Sequence, residues 1–372
     1  MSSKLYVLVA GLILFGVLNL SPAADDKASA DRGGQQGNRQ RTQPKASTGL
    51  TPLCEMGKDE NYKGQDGGLY GEGRNTPPPA HAAAAEQELR KIRPLDAEGK
   101  PASAWAGKPS PDGKIVLLAI GMSNTKMEFS AFLNIARDDP NKSPQVVVVN
   151  AAIGGMDVAA WAQSRATQWG TAWEGAERRL KEAGVTPKQV QVVWLKQAKI
   201  GPAGSDEFPA HARELADGMA AILNIAKERY PNLRIAYLSS RIYAGYAATA
   251  LNPEPYAYES AFSVRWLIQE QIKGDPKLNY DPAKGAVRSP LLLWGPYLWA
   301  DGTTPRKSDA LVWLREDLAA DGTHPSDTSG TVKAARLLLN FFRTDPLARR
   351  WYLSEDALKM PPAIPAKVSR AD

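Results

Sequence analysis

The sequence predicts an α/β protein in which a mainly parallel sheet is covered by helices on both faces. Five short apolar runs have the length and composition of buried strands, and helical patterns separate them. Strands that alternate with helices form parallel sheets, and strands buried on both faces are nearly continuous apolar runs. No repeat of fixed period interrupts this order in the sequence.

Each element is predicted from a local pattern. Four consecutive valines between residues 145 and 150 favour extended backbone and mark the clearest strand. Gly184 and Pro231 each stop a helical pattern, as glycine and proline commonly do. In chain order the elements are strand 115–119, helix 126–136, strand 145–150, helix 172–183, strand 190–195, helix 208–229, strand 233–238, helix 258–273, strand 291–294 and helix 331–342.

The first 24 residues have the layout of a secretory signal. Lys4 supplies a positive charge, residues 5–18 are almost wholly apolar, and residues 21–24 suit cleavage. The apolar stretch is shorter than the ~20 residues that cross a membrane, although an uncleaved anchor is the alternative. We therefore expect a periplasmic or secreted protein, without stable membrane insertion once the signal peptide 1–24 is removed.

Residues 25–75 are expected to form a disordered, basic linker. They are rich in glycine and in polar or charged residues, and almost no apolar residues recur periodically. Such a segment cannot bury enough surface to offset the entropy of ordering it. The remaining residues 76–352 are ample for one large domain, and residues 353–372 are a predicted C-terminal tail.

Charge and cysteine content narrow the functional class. The formal net charge is +6, and part of it lies in the predicted linker. No recognisable nucleic-acid-binding module accompanies this charge, so we expect no nucleic-acid partner. Cys54 is the only cysteine, which excludes an intrachain disulfide and effectively excludes zinc fingers and iron–sulfur clusters.

Candidate functional residues follow four of the predicted strands. They are Ser123, Gly155, Gln197 and Arg241, in the order of the strands. The carboxyl ends of parallel strands lie at one edge of a sheet, and ligands bind beyond that edge. We therefore expect these four residues to share one rim.

His324 is the histidine best placed to activate Ser123. It lies in a predicted loop three residues after Asp321. A serine hydroxyl needs a base, imidazole has a pKa near neutrality, and a carboxylate can hold the ring in the required tautomer. The alternatives are ordinary turns, because Asp321-Gly resembles a turn before a helix, and Thr125 with Glu128 has the spacing of a helix capping box.

The other histidines and acids have simpler interpretations. His81 lies near the predicted linker. His211 has Glu207 four residues earlier, a pairing typical of a solvated helix face. Three scattered histidines do not form a ligand set, so we expect no metal ion and no cofactor. The acids that compete with Asp321 are Asp157, predicted to cap a helix, Asp301, predicted to begin a turn, and Asp317, on a short predicted helix.

Three short blocks together resemble a known family. They are GMSN at residues 121–124, NAAIGG at residues 150–155, and Asp321-x-x-His324. Their order and spacing are similar to those of the SGNH (GDSL-like) hydrolase superfamily. The first block is especially similar to the GQSN start of its sialate O-acetylesterase-like branch. The resemblance covers about residues 115–342.

The resemblance implies both a fold and a site. The fold would be a three-layer α/β/α sandwich of the flavodoxin-like type, with a mainly parallel five-stranded sheet, in the domain 76–352. The resemblance also implies Ser123 as nucleophile, His324 as its base and Asp321 as the acid that orients the base.

An oxyanion hole is implied by the same resemblance. Its donors would be the backbone N–H groups of Ser123 and Gly155 and a side-chain amide after the third strand. The family usually has asparagine at that point, whereas Gln197 stands here. Gln197 carries the same donor on a longer chain, and a surface glutamine in a polar loop is the alternative. Met122 also departs from the family pattern, but its side chain is not a reacting group.

Asn124, Arg241 and Tyr243 are the predicted substrate-binding residues. Arg241 and Tyr243 follow the fourth strand and should project near the rim. Aromatic rings beside polar donors suit carbohydrate, whose rings have apolar faces, and the alternative is an aromatic-rich segment that packs on itself. The other aromatic residues predicted near the rim are Tyr246, Tyr256, Tyr258, Trp294 and Tyr297.

These features predict an exported serine esterase. It would hydrolyse O-acyl esters, above all O-acetyl esters on carbohydrate, through an acyl-enzyme. Its partner would be a small-molecule or glycan ester. Two alternatives remain: an O-acyltransferase that uses the same triad, and a non-catalytic carbohydrate-binding protein of this fold.

Overall fold

A computed structural model of the protein describes residues 44–102, 110, 112–163, 170–201 and 207–360. The predicted signal peptide, residues 25–43 of the predicted linker and residues 361–372 of the predicted tail lie outside the described residues. No helix within the described ranges is long and apolar enough to cross a membrane.

The described residues contain a sheet of five strands in the order β2-β1-β3-β4-β5. Every neighbouring pair is parallel. This order is that of flavodoxin-like doubly wound sheets, so the predicted α/β class is confirmed. The strands are β1 (Ile115–Gly121), β2 (Val146–Asn150), β3 (Val190–Lys196), β4 (Ile235–Ser239) and β5 (Leu291–Trp294).

Helices cover both faces of the sheet. Crossovers between parallel strands are right-handed, so the connection from β1 to β2 places its helix on one face, and the connections that run towards β3, β4 and β5 place theirs on the other. The helices are α1 (Pro79–Leu89), α2 (Ser123–Arg137), α3 (Val158–Ala162), α4 (Ala172–Glu182), α5 (Ala210–Arg229), α6 (Tyr256–Lys273), α7 (Gly330–Thr344), α8 (Arg349–Tyr352) and α9 (Glu355–Lys359).

Aromatic side chains fill the space between the layers. On one face, Phe129 of α2 stacks on Trp194 of β3 with 5.3 Å between ring centroids. Phe132 of α2 contacts Phe342 of α7, which joins these two helices over the sheet. Every residue of β1 is buried. The end of β1 is therefore held in a packed interior.

All the predicted elements are present, with small differences in their bounds. Helix α2 begins at Ser123, not at residue 126, and α6 begins at Tyr256. The predicted cap of α3 is confirmed, because the Asp157 carboxylate accepts from the Ala160 N–H at 3.1 Å. The alanine-rich α1 was not predicted, and neither were α8 and α9.

The prediction of a disordered linker is wrong for residues 44–75. Leu53, Met56, Leu69 and Tyr70 are part of the hydrophobic core. The Trp294 indole N–H also donates to the Leu69 carbonyl at 2.6 Å. A few irregularly spaced apolar side chains suffice here, because they are buried against an existing core. The segment does not need a core of its own.

A carboxylate fixes the start of this segment. Asp301 accepts hydrogen bonds from the Ser47 hydroxyl, from the N–H and hydroxyl of Thr48, and from the Gly49 N–H, at distances of 2.5 to 2.9 Å. Asp301 also begins the predicted turn, since its carbonyl accepts from the Thr304 N–H. Residues 47–49 therefore belong to the folded domain.

The predicted C-terminal tail is also packed where it is described. Leu353 pairs with Lys142 in an isolated β-bridge. Ala357 of α9 is buried. The tail prediction is therefore wrong for residues 353–360.

Candidate active site

The loops after four parallel strands meet at one edge of the sheet. Ser123 follows β1, Gly155 follows β2, Gln197 follows β3 and Arg241 follows β4. The shared rim predicted for these residues is therefore present. Strands β1 and β3 are neighbours from which the chain continues in opposite directions along the sheet, and such a switch point leaves a crevice for ligands.

Ser123, His324 and Asp321 form a continuous chain of hydrogen bonds. The Ser123 Oγ lies 2.7 Å from His324 Nε2, and His324 Nδ1 lies 2.5 Å from Asp321 Oδ2. The His324 and Asp321 side chains are 22% and 34% exposed, and Ser123 is half-buried. An alcohol, an imidazole and a carboxylate are thus in contact where solvent and small molecules reach them.

The loop fixes the charge and position of Asp321. Its Oδ1 accepts from the N–H groups of Thr323 at 3.0 Å and His324 at 3.1 Å. Burial by itself raises the pKa of the Asp321 carboxyl, but the His324 ring and these two N–H groups hold that pKa well below its ordinary value. An ionised Asp321 keeps the proton on His324 Nδ1, which leaves Nε2 free to accept one from Ser123.

A glycine is required at the turn between the acid and the base. Gly322 has a φ of +67°, and a Cβ at this position would lie 1.8 Å from the Tyr246 carbonyl oxygen. Only glycine tolerates both the left-handed conformation and this approach. The Asp321 carbonyl also accepts from the Ala248 N–H at 3.0 Å. The turn that carries Asp321 is therefore anchored on the loop after β4.

Ser123 is the first residue of α2, and it is held there from β3. A Cβ at Gly121 would lie 2.3 Å from the Lys196 carbonyl oxygen, so a glycine is needed for β1 to end beside β3. The Thr125 hydroxyl donates to that carbonyl at 2.8 Å. Glu128 forms a salt bridge with the Lys196 ammonium. The predicted capping box is therefore wrong, because Thr125 and Glu128 both bind Lys196.

The loop after β2 runs beside Ser123. A Cβ at Gly154 would lie 4.0 Å from the Ser123 Cβ. Gly155 is exposed and has a φ of +77°. Neither glycine donates its N–H in the backbone hydrogen bonds found among the described residues. Free N–H groups close to a serine are the kind of donor that an oxyanion hole uses.

Gln197 is buried and its amide donor is unpartnered. The side chain is 1% exposed, which rules out the alternative of a surface glutamine. Its Oε1 accepts from the Ala198 N–H at 3.3 Å, whereas Nε2 has no partner among the described residues. Gln197 extends β3 by one residue, and Lys196 is aligned with Gly121 of β1. The amide therefore belongs to the same switch-point region as Ser123.

The three predicted substrate-binding side chains are buried in the protein. Tyr243 is 0% exposed and donates its hydroxyl to the Lys45 carbonyl. Asn124 and Arg241 are also buried, and both donate to the Thr323 carbonyl oxygen. None of the three is open to solvent, while Asn124 Oδ1 and Arg241 Nε have no partner among the described residues. Contact of these side chains with a substrate therefore stays a prediction.

The aromatic side chains near the rim pack on one another. Tyr243 and Tyr246 contact edge to face with centroids 5.5 Å apart, and Tyr258 contacts Trp299 at 4.8 Å. Tyr246, Tyr258, Trp294 and Tyr297 are all buried, and Tyr256 is half-buried. The alternative of an aromatic-rich segment that packs on itself is therefore confirmed for these four residues.

The remaining histidines, His81 and His211, are buried in the protein interior. His81 Nε2 lies 2.7 Å from the Leu292 carbonyl oxygen. His211 is buried with its ring against Tyr256, so the predicted solvated helix face is wrong. Among the competing acids, Asp317 forms a salt bridge with Lys333.

Sequence comparisons identify no relative, since no protein-family model and no curated protein matches the chain. Within the described ranges, no group of three His, Cys, Asp or Glu side chains is arranged to hold a metal ion.

Proposed function

We propose that the protein is an exported serine esterase that hydrolyses O-acyl esters through Ser123, His324 and Asp321. The observation that carries this proposal is the unbroken contact from the Ser123 hydroxyl through both nitrogens of His324 to the Asp321 carboxylate. The same constellation of groups performs acyl transfer on several unrelated folds, so it is recognised by geometry and not by sequence position.

In the first half of the reaction, Ser123 Oγ attacks the ester carbonyl carbon while His324 Nε2 takes its proton. Asp321 stabilises the imidazolium that results. The tetrahedral intermediate collapses when the alcohol leaves with the proton from His324, and the acyl group remains bonded to Ser123. In the second half, His324 takes a proton from water as the water oxygen attacks the acyl carbon. The bond from that carbon to Ser123 Oγ then breaks, Oγ takes the proton from His324, and the carboxylic acid is released.

The oxyanion of each tetrahedral intermediate needs donors that are already in place. We assign this role to the backbone N–H groups of Ser123 and Gly155 and to the Gln197 amide. The unpartnered Nε2 of Gln197 supports the assignment, since a buried donor without a partner is costly unless a ligand uses it. Removal of one such donor typically costs ~10²- to 10³-fold in kcat.

An acetyl ester on a carbohydrate is the substrate that the motif resemblance favours. The packing of the nearby aromatic rings gives this choice no further support, because four of them are buried. The proposal therefore commits to the ester bond, and the choice of a small acyl group such as acetyl rests on the motif resemblance alone.

The decisive experiment measures hydrolysis of p-nitrophenyl acetate and labelling by a fluorophosphonate probe. In Ser123→Ala we expect both to disappear while the circular dichroism spectrum and the melting temperature stay unchanged. Ser130→Ala is the matched control, since Ser130 lies on the same helix and is exposed. Wild-type turnover that persists in Ser123→Ala would contradict the proposal.

A further inference from the structure

The Thr323 carbonyl group, which lies between the proposed acid and base in the chain, accepts two side-chain hydrogen bonds. The Thr323 carbonyl oxygen accepts from Asn124 Nδ2 at 2.9 Å and from Arg241 Nη2 at 3.3 Å. Asn124 lies on α2 directly after Ser123, and Arg241 follows β4. Two separate elements thus hold the backbone of the short segment that contains both Asp321 and His324.

The burial of Arg241 is too costly to be incidental. Its side chain is 2% exposed, and within the described part of the chain it makes one hydrogen bond, to this neutral carbonyl. Burial lowers the pKa of Arg241, while the carboxylates of Glu128, Glu254 and Asp321 act in the opposite direction. Buried charges are normally paired at contact distance. The one hydrogen bond that this guanidinium donates among the described residues goes to the Thr323 carbonyl, while its Nε has no partner there.

Backbone hydrogen bonds also hold the rest of the segment, including one from the Gly322 N–H to the Ala319 carbonyl at 2.9 Å. The Asp321 carbonyl accepts from the Ala248 N–H at 3.0 Å, and the His324 carbonyl accepts from the Ala319 N–H at 2.8 Å. Thr323 lies between them and is fully buried. The contacts from Asn124 and Arg241 therefore restrain the middle of the turn, where a small rotation would move the imidazole.

We propose that Arg241 and Asn124 are positioning residues for the triad, which hold the Thr323 carbonyl so that His324 stays in contact with both Asp321 and Ser123. Asn124 has a second consequence, because it ties the helix that presents the nucleophile directly to the loop that presents the base. The kinetic part of this inference rests on the proposed esterase activity, whereas the geometric part does not. A misplacement of about 1 Å in such a site costs ~10²-fold in rate.

Arg241→Lys tests the inference, because lysine keeps the charge but loses the planar donor group. We expect kcat for p-nitrophenyl acetate to fall about 10- to 100-fold with KM nearly unchanged, and fluorophosphonate labelling to slow by a similar factor. Arg265→Lys is the matched control. Arg265 is equally buried, but it donates to the Asp66 carbonyl and to Gln65, so kcat should stay as in the wild type.

A second readout is independent of any ester. The proton shared between His324 Nδ1 and Asp321 gives a downfield imidazole N–H resonance, and we expect it to shift or broaden in Arg241→Lys but not in Arg265→Lys. If Arg241→Lys does not fold, Asn124→Ala provides the same comparison, since it removes a neutral donor. A wild type that shows the resonance but hydrolyses no ester would defeat the esterase proposal alone.

Two outcomes would overturn the inference. One is a raised KM with unchanged kcat in Arg241→Lys, which would mean that Arg241 contacts the substrate. The other is an unchanged resonance and unchanged kcat in both Arg241→Lys and Asn124→Ala.

Discussion

Lys196 and Glu128 form a salt bridge in which both side chains are 0% exposed. The Lys196 Nζ lies 2.5 Å from Glu128 Oε1. Burial lowers the pKa of Lys196, and the attraction of Glu128 opposes that shift. Lys196 ends β3 just before Gln197, and Glu128 belongs to the helix that begins at Ser123. The pair therefore connects the two elements that carry the proposed nucleophile and an oxyanion donor.

The salt bridge predicts a pattern of mutant stabilities. Lys196→Met or Glu128→Met alone should cost roughly 3–5 kcal/mol of unfolding free energy, because each leaves an unpaired buried charge. The double variant should recover most of this loss, since similar apolar side chains replace both ions. Urea unfolding of the wild type and the three variants measures the coupling. Additive losses in the double variant would show that the pair is not an energetic unit.

Gln197→Met should separate stability from activity. The change removes a buried Nε2 donor that has no partner and loses only the 3.3 Å contact from the Ala198 N–H to Oε1. The unfolding free energy should therefore stay level or rise by up to about 1–3 kcal/mol. The kcat should fall ~10²- to 10³-fold if the amide binds the oxyanion.

Gln271→Met is the matched control for Gln197. Its buried amide has partners at both ends, donating to the Leu278 and Pro290 carbonyls and accepting from the Leu292 N–H. This variant should lose stability and keep its kcat. If Gln197→Met behaves in the same way, the amide is a structural group and the oxyanion assignment fails.

Asp321 predicts a pH-dependent part of the stability. Its pKa in the folded protein is below the ordinary value of about 3.9. A carboxyl whose pKa is lowered by folding stabilises the native state above its unfolded pKa, and that contribution is lost as pH falls towards the folded pKa. The stability difference between wild type and Asp321→Asn should therefore be constant above about pH 5 and shrink below pH 4. Urea titrations across this pH range measure the stability difference. A difference that stays constant down to pH 3 would contradict a lowered pKa of Asp321 in the folded protein.

Asp301→Ala should free residues 47–49 from the folded domain, because it removes the carboxylate to which they donate hydrogen bonds. Asp301 receives the hydrogen bonds from residues 47–49, and the exposed Lys45 is a trypsin site just before them. One net hydrogen bond is worth roughly 1 kcal/mol, so cleavage after Lys45 should speed up by about tenfold or more. Mass spectrometry of the fragments measures the rate, with Asp281→Ala, in an exposed turn, as control. Equal cleavage rates in wild type and Asp301→Ala would contradict this role of Asp301.

Much of the fold could be read from local patterns. The valine run of β2 and the apolar runs of the other strands require burial on both faces, and that requirement leaves few arrangements besides a parallel sheet between helices. Because parallel strands end at the same edge, the sequence predicted a shared rim for Ser123 and the loop after β3, whereas the strand order of the structure makes β1 and β3 neighbours. The spacing of Asp321 and His324 likewise placed a carboxylate next to an imidazole across one turn.

The directions of the polar side chains could not be read in this way. Asn124, Arg241 and Tyr243 were predicted to face a ligand, yet each is buried against a partner far away in sequence. The Thr125 and Glu128 spacing has the same form in a capping box as in the observed contacts with Lys196. The residue type of a hydrogen-bond donor does not predict which of several possible acceptors the fold will bring next to it.

The sequence by itself determined the layers, the order of the elements and the edge of the sheet at which Ser123 lies, because periodicity and turn chemistry act over a few residues. Only the tertiary structure decided that residues 44–75 are folded, that Lys196 pairs with Glu128, and that two donors close on the Thr323 carbonyl. These outcomes depend on burial, and burial is a property of the surfaces that distant segments bring together.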